Sequence, residues 1–288
     1  MPAEPRVGLI GLGFVGAAIG ERLLATGPAP VVHDVVPARQ QQLVERGAVG
    51  AAGNGDLAAR CDVVLLCVQT DEQCVEALAG DGGILDGAAP GTVVAVLATV
   101  APRTVERLAE LASPGSVHVL EAPMAGRGAA GIADASMFVL AAGDDDVVAR
   151  ARPALERFSR VLPTGPLGTG AALKLAHNVL VYVSRLAAYE AVTLARAAGI
   201  PDGLVEELTL QTGAMCEQSQ VWLEIHERRL RGDRSDPIEN EHMVTAAALM
   251  EKDLRHAVAL GAELGLVLPG SAVAAGFGDE IYQVPPSR

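Results

Sequence analysis

Aromatic residues are scarce: one Trp, three Tyr and four Phe among 288 residues. A core with so few rings is built from Ala, Val and Leu, and that mix suits helices packed closely on a parallel sheet. Cysteine is scarce as well. Cys61, Cys67, Cys74 and Cys216 show no metal-ligand spacing, and a chain long enough for a sizeable core has no need of disulfide staples. No metal site is expected. No apolar run free of charge is long enough to span a bilayer. Met1–Arg6 leads straight into a strand-like segment with no targeting peptide in view, so a soluble cytoplasmic protein is the expectation. Positive charge is the last shortage: 22 Lys and Arg stand against 35 Asp and Glu, a formal net charge of −13. That balance argues against nucleic acid or an anionic membrane as a partner. A small anionic substrate would have to be held by local basic groups against the overall field.

What the chain has instead is alternation. Val7–Ile10 is a short apolar strand that opens at once into Gly11-Leu12-Gly13-Phe14-Val15-Gly16 and a helix through about Ala25. Gly13 lets backbone approach a pyrophosphate, and the helix start offers free N–H groups and a positive dipole end. Val31–His33 supplies a second strand ending in Asp34, about twenty residues after the first glycine, the spacing at which a carboxylate meets an adenosine ribose. The competing reading of Asp34 is a helix cap before Pro37. Val35 offers no cation for a 2′-phosphate, although Arg39 lies one turn on, so NAD is expected over NADP.

Strand and helix then keep alternating: strands at 62–68, 92–97, 117–120 and 137–142, helices at 72–79, 102–112 and 144–158. This pattern implies a parallel, doubly wound sheet with right-handed crossovers. Ligands of such sheets lie beyond the carboxyl ends of the strands, which places Val68, Thr70, Thr99 and the loop 121–128 around cofactor and substrate. In that loop Gly126 and Gly128 free the backbone to offer N–H groups, and Arg127 can grip a carboxylate. The sheet pattern stops near Leu162-Pro163, with 164–170 read as a bend, so the expected division is a dinucleotide-binding domain over 1–164 and a helical domain over 165–288.

The helical half opens on an unbroken run, 168–198, of roughly 45 Å at about 1.5 Å per residue. Its apolar positions Leu173, Ala176, Leu180, Val183, Ala187, Val192 and Ala195 are expected on a mostly buried helix. Lys174, His177 and Asn178 sit in its first turns, where residues three and four apart share a face. Lysine serves as the base of alcohol oxidation when burial and a positive helix end depress its pKa. Asn178 then orients the substrate oxygen, and His177 flanks the site. Against this stands the bland reading of a snorkelling surface lysine. Helices are also expected at 201–212, 218–230 and 245–264, and the tail 284–288 should fray. Lys252-Asp253 in the last long helix either reaches back toward the site or forms a solvated pair.

Five motifs in order give the chain a resemblance over nearly its whole length: Gly11–Gly16; Ala98-Thr99 with Pro102; Glu121–Gly126; Gly168-Thr169-Gly170 leading to Lys174–Asn178; and Lys252-Asp253-Leu254. The chain resembles the β-hydroxyacid dehydrogenases, to which 3-hydroxyisobutyrate dehydrogenase belongs. The resemblance implies a Rossmann-type domain, a long interdomain helix and an all-helical C-terminal domain that dimerises, or assembles into a tetramer. It further implies hydride transfer between a nicotinamide cofactor and a small 3-hydroxy acid or its oxo form. Lys174 would be the acid/base and Asn178 the orienting group. Ala125, Gly126, Arg127 and His177 would meet the substrate, and Lys252 would line the closed cleft beside the cofactor. The substrate loop departs from the family's usual Asp-Ala-Pro-Val-Ser-Gly-Gly at Glu121, Met124, Ala125 and Arg127. The serine hydroxyl is lost, which points away from 3-hydroxyisobutyrate itself. The Lys-x-x-His-Asn form with Tyr182 also looks like 6-phosphogluconate dehydrogenase, but the chain is too short for that enzyme's large C-terminal domain. Two alternatives are an imine or keto reductase on the same scaffold and a cofactor-binding regulatory protein without catalysis.

Overall fold

The computed structural model describes residues 4–284, and the chain divides into two compact units, Met1–Lys174 and Leu175–Arg288. This division falls inside the long helix, later than the expected boundary at 164. The expected fraying beyond Val284 lies outside the described residues.

The first unit is a mostly parallel sheet clad in helices. Its strands are β1 (Val7–Ile10), β2 (Val31–His33), β3 (Val49–Gly50), β4 (Val63–Leu66), β5 (Val93–Val96), β6 (His118–Glu121), β7 (Met124–Ala125), β8 (Phe138–Ala142) and β9 (Arg160–Gly165). Between them run α1 (Phe14–Thr26), α2 (Pro37–Val44), α3 (Asn54–Ala58), α4 (Asp71–Ala79), α5 (Ile84–Gly87), α6 (Pro102–Ala112), α7 (Gly128–Ala133) and α8 (Asp145–Leu155). The strand order is β3-β2-β1-β4-β5-β6-β8-β7, with β9 paired to β8. Strands β1, β4 and β5 are unbroken four-residue apolar runs buried at every position, as strands covered on both faces must be. Their two-residue period sorts the side chains. Val63, Leu65 and Ala95 join the core with Ile19, Leu23 and Phe158, while Val64, Leu66 and Val94 face Leu57, Leu78 and Leu108 in a second core.

Two sequence expectations need correction here. The sheet is not wholly parallel: β8 runs antiparallel to both β6 and β7. Nor does it end at Leu162-Pro163, because β9 occupies Arg160–Gly165 parallel to β8. A proline in this strand reads as a break, yet β9 pairs on one side only, where a missing N–H is tolerated. Pro163 stands opposite Ala141 while Gly165 stands opposite Ala142, so Thr164 is the extra residue of a bulge.

The second unit takes up most of the long helix α9 (Thr169–Ala197), followed by α10 (Leu204–Thr212), α11 (Glu217–Leu230), α12 (Pro237–Glu263), α13 (Pro269–Ala274) and α14 (Gly278–Tyr282). Its core gathers Leu186, Val192, Leu223, Met250, Leu254 and Ile281 around the single tryptophan, Trp222. The buried stripe of α9 is not the expected one. Leu173 is 43% exposed and Leu180 71%, and Ala176 and Ala187 are also exposed. The buried positions are Gly170, Ala171, Leu175, Asn178, Leu186, Ala188 and, of the expected set, Val192. A count of apolar residues misses this stripe because a polar residue, Asn178, lies in it.

One carboxyl group fixes where α9 begins. Glu121, at the end of β6 and 1% exposed, accepts hydrogen bonds from the backbone N–H of Gly168 and, at 2.5 Å, of Ala171. A Cβ on Gly170 would stand 2.6 Å from Glu121 Oε2, so only glycine lets the helix start come this close. Burial raises the Glu121 carboxyl above the usual carboxylate range, against the pull of the Gly168, Ala171 and Gly170 N–H groups. Two consequences are measurable. Glu121→Ala leaves buried donors without an acceptor and should cost about 2 to 3 kcal/mol in urea unfolding. Because the folded pKa is raised, the folded chain holds a proton that the unfolded chain has lost. That contribution is fullest below the ordinary carboxyl pKa and fades as pH rises through the raised one. Glu121→Gln should flatten this segment of the stability–pH curve.

Candidate active site

In the first unit, the loops after β1, β4, β5 and β6 all emerge at the carboxyl end of the parallel sheet. The order reverses between β1 and β4, the switch point where doubly wound sheets bind ligands. The glycine turn lies there and is shaped by its neighbours. Gly11 has φ +87°, and a Cβ on it would meet the Cys67 carbonyl at 2.2 Å. A Cβ on Gly16 would stand 1.9 Å from the Gly11 carbonyl. These two glycines are demanded by the fold. Gly13 is different: nothing lies within 4 Å of where its Cβ would be. It is the N-cap of α1, which has no side-chain cap and no acid in its first turn. A helix start of this kind, with an open cradle beside it, suits a pyrophosphate. The residues present fit a dinucleotide.

Asp34, 7% exposed, ties this turn to the end of β2. Its Oδ2 accepts from the Leu12 N–H at 2.6 Å and its Oδ1 from the Val36 N–H at 2.7 Å. The cap of α2 is Val36, so Asp34 makes a local turn and a long-range tie at once. Val35 beside it is 88% exposed. On the other side of the switch point Val68 lies 3.4 Å from the Gly11 Cβ position, and Thr70 caps α4 in a reciprocal box with Gln73. Thr99 follows β5, half-buried.

The substrate-loop residues take up distinct positions. Ala125 is buried in β7. Gly126 has φ +150°, and a Cβ there would touch Met137 Sδ at 2.9 Å. Arg127 turns back into its own loop, donating to Asp134 at 2.6 Å and to Ser136 at 3.3 Å.

Lys174 is half-buried in the second turn of α9. Asn178, one turn on, is 3% exposed and donates its Nδ2–H to Asp253 Oδ2 at 2.7 Å. A carboxylate only accepts, so this bond decides which way the amide faces. Its Oδ1 is turned toward His177 Nδ1, 3.3 Å away. The other oxygen of Asp253 lies 2.9 Å from the Lys252 ammonium. Asp253, 3% exposed, is therefore no member of a solvated pair. It anchors Asn178, a role its sequence neighbourhood did not reveal. Glu121 was equally unsignalled except by an acid closing a strand. Among the described residues no cluster of His, Cys, Asp and Glu could hold a metal ion.

Comparison with known proteins now decides the family. Residues 6–170 match the model of the NAD binding domain of 6-phosphogluconate dehydrogenase, and residues 168–283 that of the NAD-binding domain of NADP-dependent 3-hydroxyisobutyrate dehydrogenase. The chain belongs to the β-hydroxyacid dehydrogenase family. It is 33% identical to an uncharacterized oxidoreductase of Mycobacterium tuberculosis, over 93% of this chain and 90% of the relative. It is 30% identical to an NAD-dependent L-serine dehydrogenase of Pseudomonas aeruginosa, over 70% of this chain and 68% of that one. A solved 3-hydroxyisobutyrate dehydrogenase of Salmonella typhimurium superposes with a TM-score of 0.83 at 25% identity, covering 96% of this chain and 93% of its own. Like others of its family, this β-hydroxyacid dehydrogenase binds NAD(P). Among the described residues, no helix is long and apolar enough to cross a membrane.

The glycines make a paired test. Gly13→Ala should keep the wild-type melting temperature and lose NADH affinity by at least about tenfold, since a methyl group fills the cradle without touching protein. Gly16→Ala should fail to fold, its Cβ colliding with fixed backbone. Calorimetric titration with NADH, alongside thermal denaturation, reads both.

Proposed function

We propose that this chain is an NAD(P)-dependent oxidoreductase of small 3-hydroxy acids, with Lys174 as general acid and base. The observation that carries the reading is the buried Asn178, its amide locked by Asp253 one helical turn from Lys174. Such an amide orients a substrate oxygen without competing for its proton. In oxidation the hydroxyl O–H proton passes to the Lys174 amine as the carbon–oxygen single bond becomes a carbonyl. In reduction the ammonium returns it. Bound nicotinamide accepts or supplies the hydride. Asp253 acts as a positioning residue through Asn178, and Glu121 acts on Lys174 by fixing the start of α9.

NAD is the preferred form. The buried Asp34 carboxyl at the end of β2 and the neutral side chain of Val35 favour a ribose hydroxyl over a 2′-phosphate. The lost serine of the substrate loop leaves backbone N–H groups near Gly126 for the substrate carboxylate. The Pseudomonas relative, an NAD-dependent L-serine dehydrogenase, supports a small 3-hydroxy acid as the substrate class. A homodimer or tetramer is the proposed assembly, and Leu180 and Leu194 on α9 and Leu208 on α10, 71%, 72% and 64% exposed in the single chain, are apolar positions that a partner copy would cover.

A panel of 3-hydroxy acids, L-serine and L-threonate among them, assayed for NADH formation tests the proposal. Lys174→Ala should lower kcat by at least about a thousandfold while NADH binds as in the wild type. Retained turnover in this variant would remove the lysine from the mechanism.

A further inference from the structure

Among the described residues of the helical unit, Arg185 is a half-buried arginine without a carboxylate partner. Arg196 meets Glu227 at 2.7 Å, Arg228 meets Asp233 at 3.0 Å and Arg229 meets Glu239 at 3.1 Å. Arg185, half-buried on α9, has no carboxylate within ion-pair distance among the described residues. Its guanidinium lies 5.5 Å from the Tyr182 ring centre and 5.6 Å from that of Tyr282. Among the described residues its one hydrogen bond runs from Nη1 to the Tyr282 hydroxyl. The Nε atom is buried and has no acceptor. Thus the Nη1 corner is occupied, while the Nε and Nη2 edge, the edge that grips an oxyanion side-on with two parallel bonds, is unfilled.

The surroundings supply hydrogen-bond donors. Tyr282 Oη accepts from Arg185 and keeps its own proton to donate. Burial raises the Tyr182 and Tyr282 hydroxyls above the usual tyrosine range, so both stay protonated. His242 stays below the usual histidine range through burial, with the Arg185 charge adding to it, so it brings a neutral ring. The nearby carboxylate, Asp253, accepts from Asn178 through Oδ2 at 2.7 Å, while its Oδ1 lies 2.9 Å from the Lys252 ammonium and forms no ion pair with Arg185. An unpaired guanidinium held between two rings costs free energy that an incoming oxyanion recovers.

We infer that Arg185, framed by Tyr182 and Tyr282, is an oxyanion-binding subsite, and that the substrate presents an acidic group to it. The inference rests on the proposed function for the meaning of that group, but not for the binding itself. Arg185 follows Asn178 by two helical turns, on the order of 10 Å of rise. Two turns along one helix hold this subsite apart from the oxygen that Asn178 orients. The substrate class is therefore a hydroxy acid with a second carboxylate several bonds from the reacting carbon.

The test is calorimetric titration of the full chain with NADH bound, using glutarate, propionate and inorganic phosphate as probes. Glutarate should bind at least about tenfold more tightly than propionate, and Arg185→Gln should erase that difference while NADH affinity stays unchanged. Tyr282→Phe, which removes one hydroxyl and keeps the ring, should weaken glutarate severalfold and serves if Arg185→Gln does not fold. Equal affinity for glutarate and propionate in the wild type would overturn the inference. So would phosphate as the sole ligand lost on substitution, since the site would then recognise a free ion and not a substrate acid. Failure of every hydroxy acid to reduce NAD, with glutarate binding intact, would count against the proposed function and leave the subsite standing.

Discussion

The contact between the Glu121 carboxyl and the first turn of α9 is the constraint on which the rest of the first unit's chemistry depends. Strand β6 delivers an acid to a buried place, and the helix start meets it with unpaired N–H groups. The positive end of the helix dipole favours that acid, and Gly170 removes the one Cβ that would keep them apart. With the start of a 29-residue helix fixed in this way, the position of Lys174 in its second turn is fixed too. A family loop that usually carries aspartate here carries the longer glutamate, whose carboxyl meets two backbone donors.

The second unit fixes Asn178 by a different device. A buried amide can face either way, and only a partner of one hydrogen-bonding sense decides between them. Asp253 is such a partner, and Lys252 next to it supplies the counter-charge that lets a carboxylate stay buried. The motif Lys252-Asp253 is then a charge-balanced clamp on α9, made from a different helix. The same logic sets Arg185 apart, because it is the half-buried arginine of this unit that has rings about it and no acid.

Much of the fold was legible in the sequence. The glycine fingerprint between β1 and α1, the helix Pro102–Ala112 and the strand Val7–Ile10 are where pattern and capping rules put them. What escaped were features that depend on partners distant along the chain. The strand β9 was hidden by Pro163, acceptable only because its ladder is one-sided. The antiparallel run of β8 leaves no mark on an apolar period of two. The buried face of α9 escapes an apolar count because it contains Asn178, which Asp253, 75 residues away, holds in place. Of the proposed site, Lys174, Asn178 and Gly13 can be picked out by residue type and spacing. Asp253 and Glu121 could not, since a carboxyl group shows its purpose only through what it accepts from.

The central claim is chemical: a hydride leaves the hydroxyl-bearing carbon of a 3-hydroxy acid for the nicotinamide ring. The most direct measurement is isotopic. A hydroxy acid that the enzyme oxidises, carrying deuterium on that carbon, is incubated with NAD, and the NADH formed is analysed by mass spectrometry. NADH carrying one deuterium, from the first turnover onward, is the expected result. NADH formed without the label would contradict it, since the hydrogen would then have come from elsewhere.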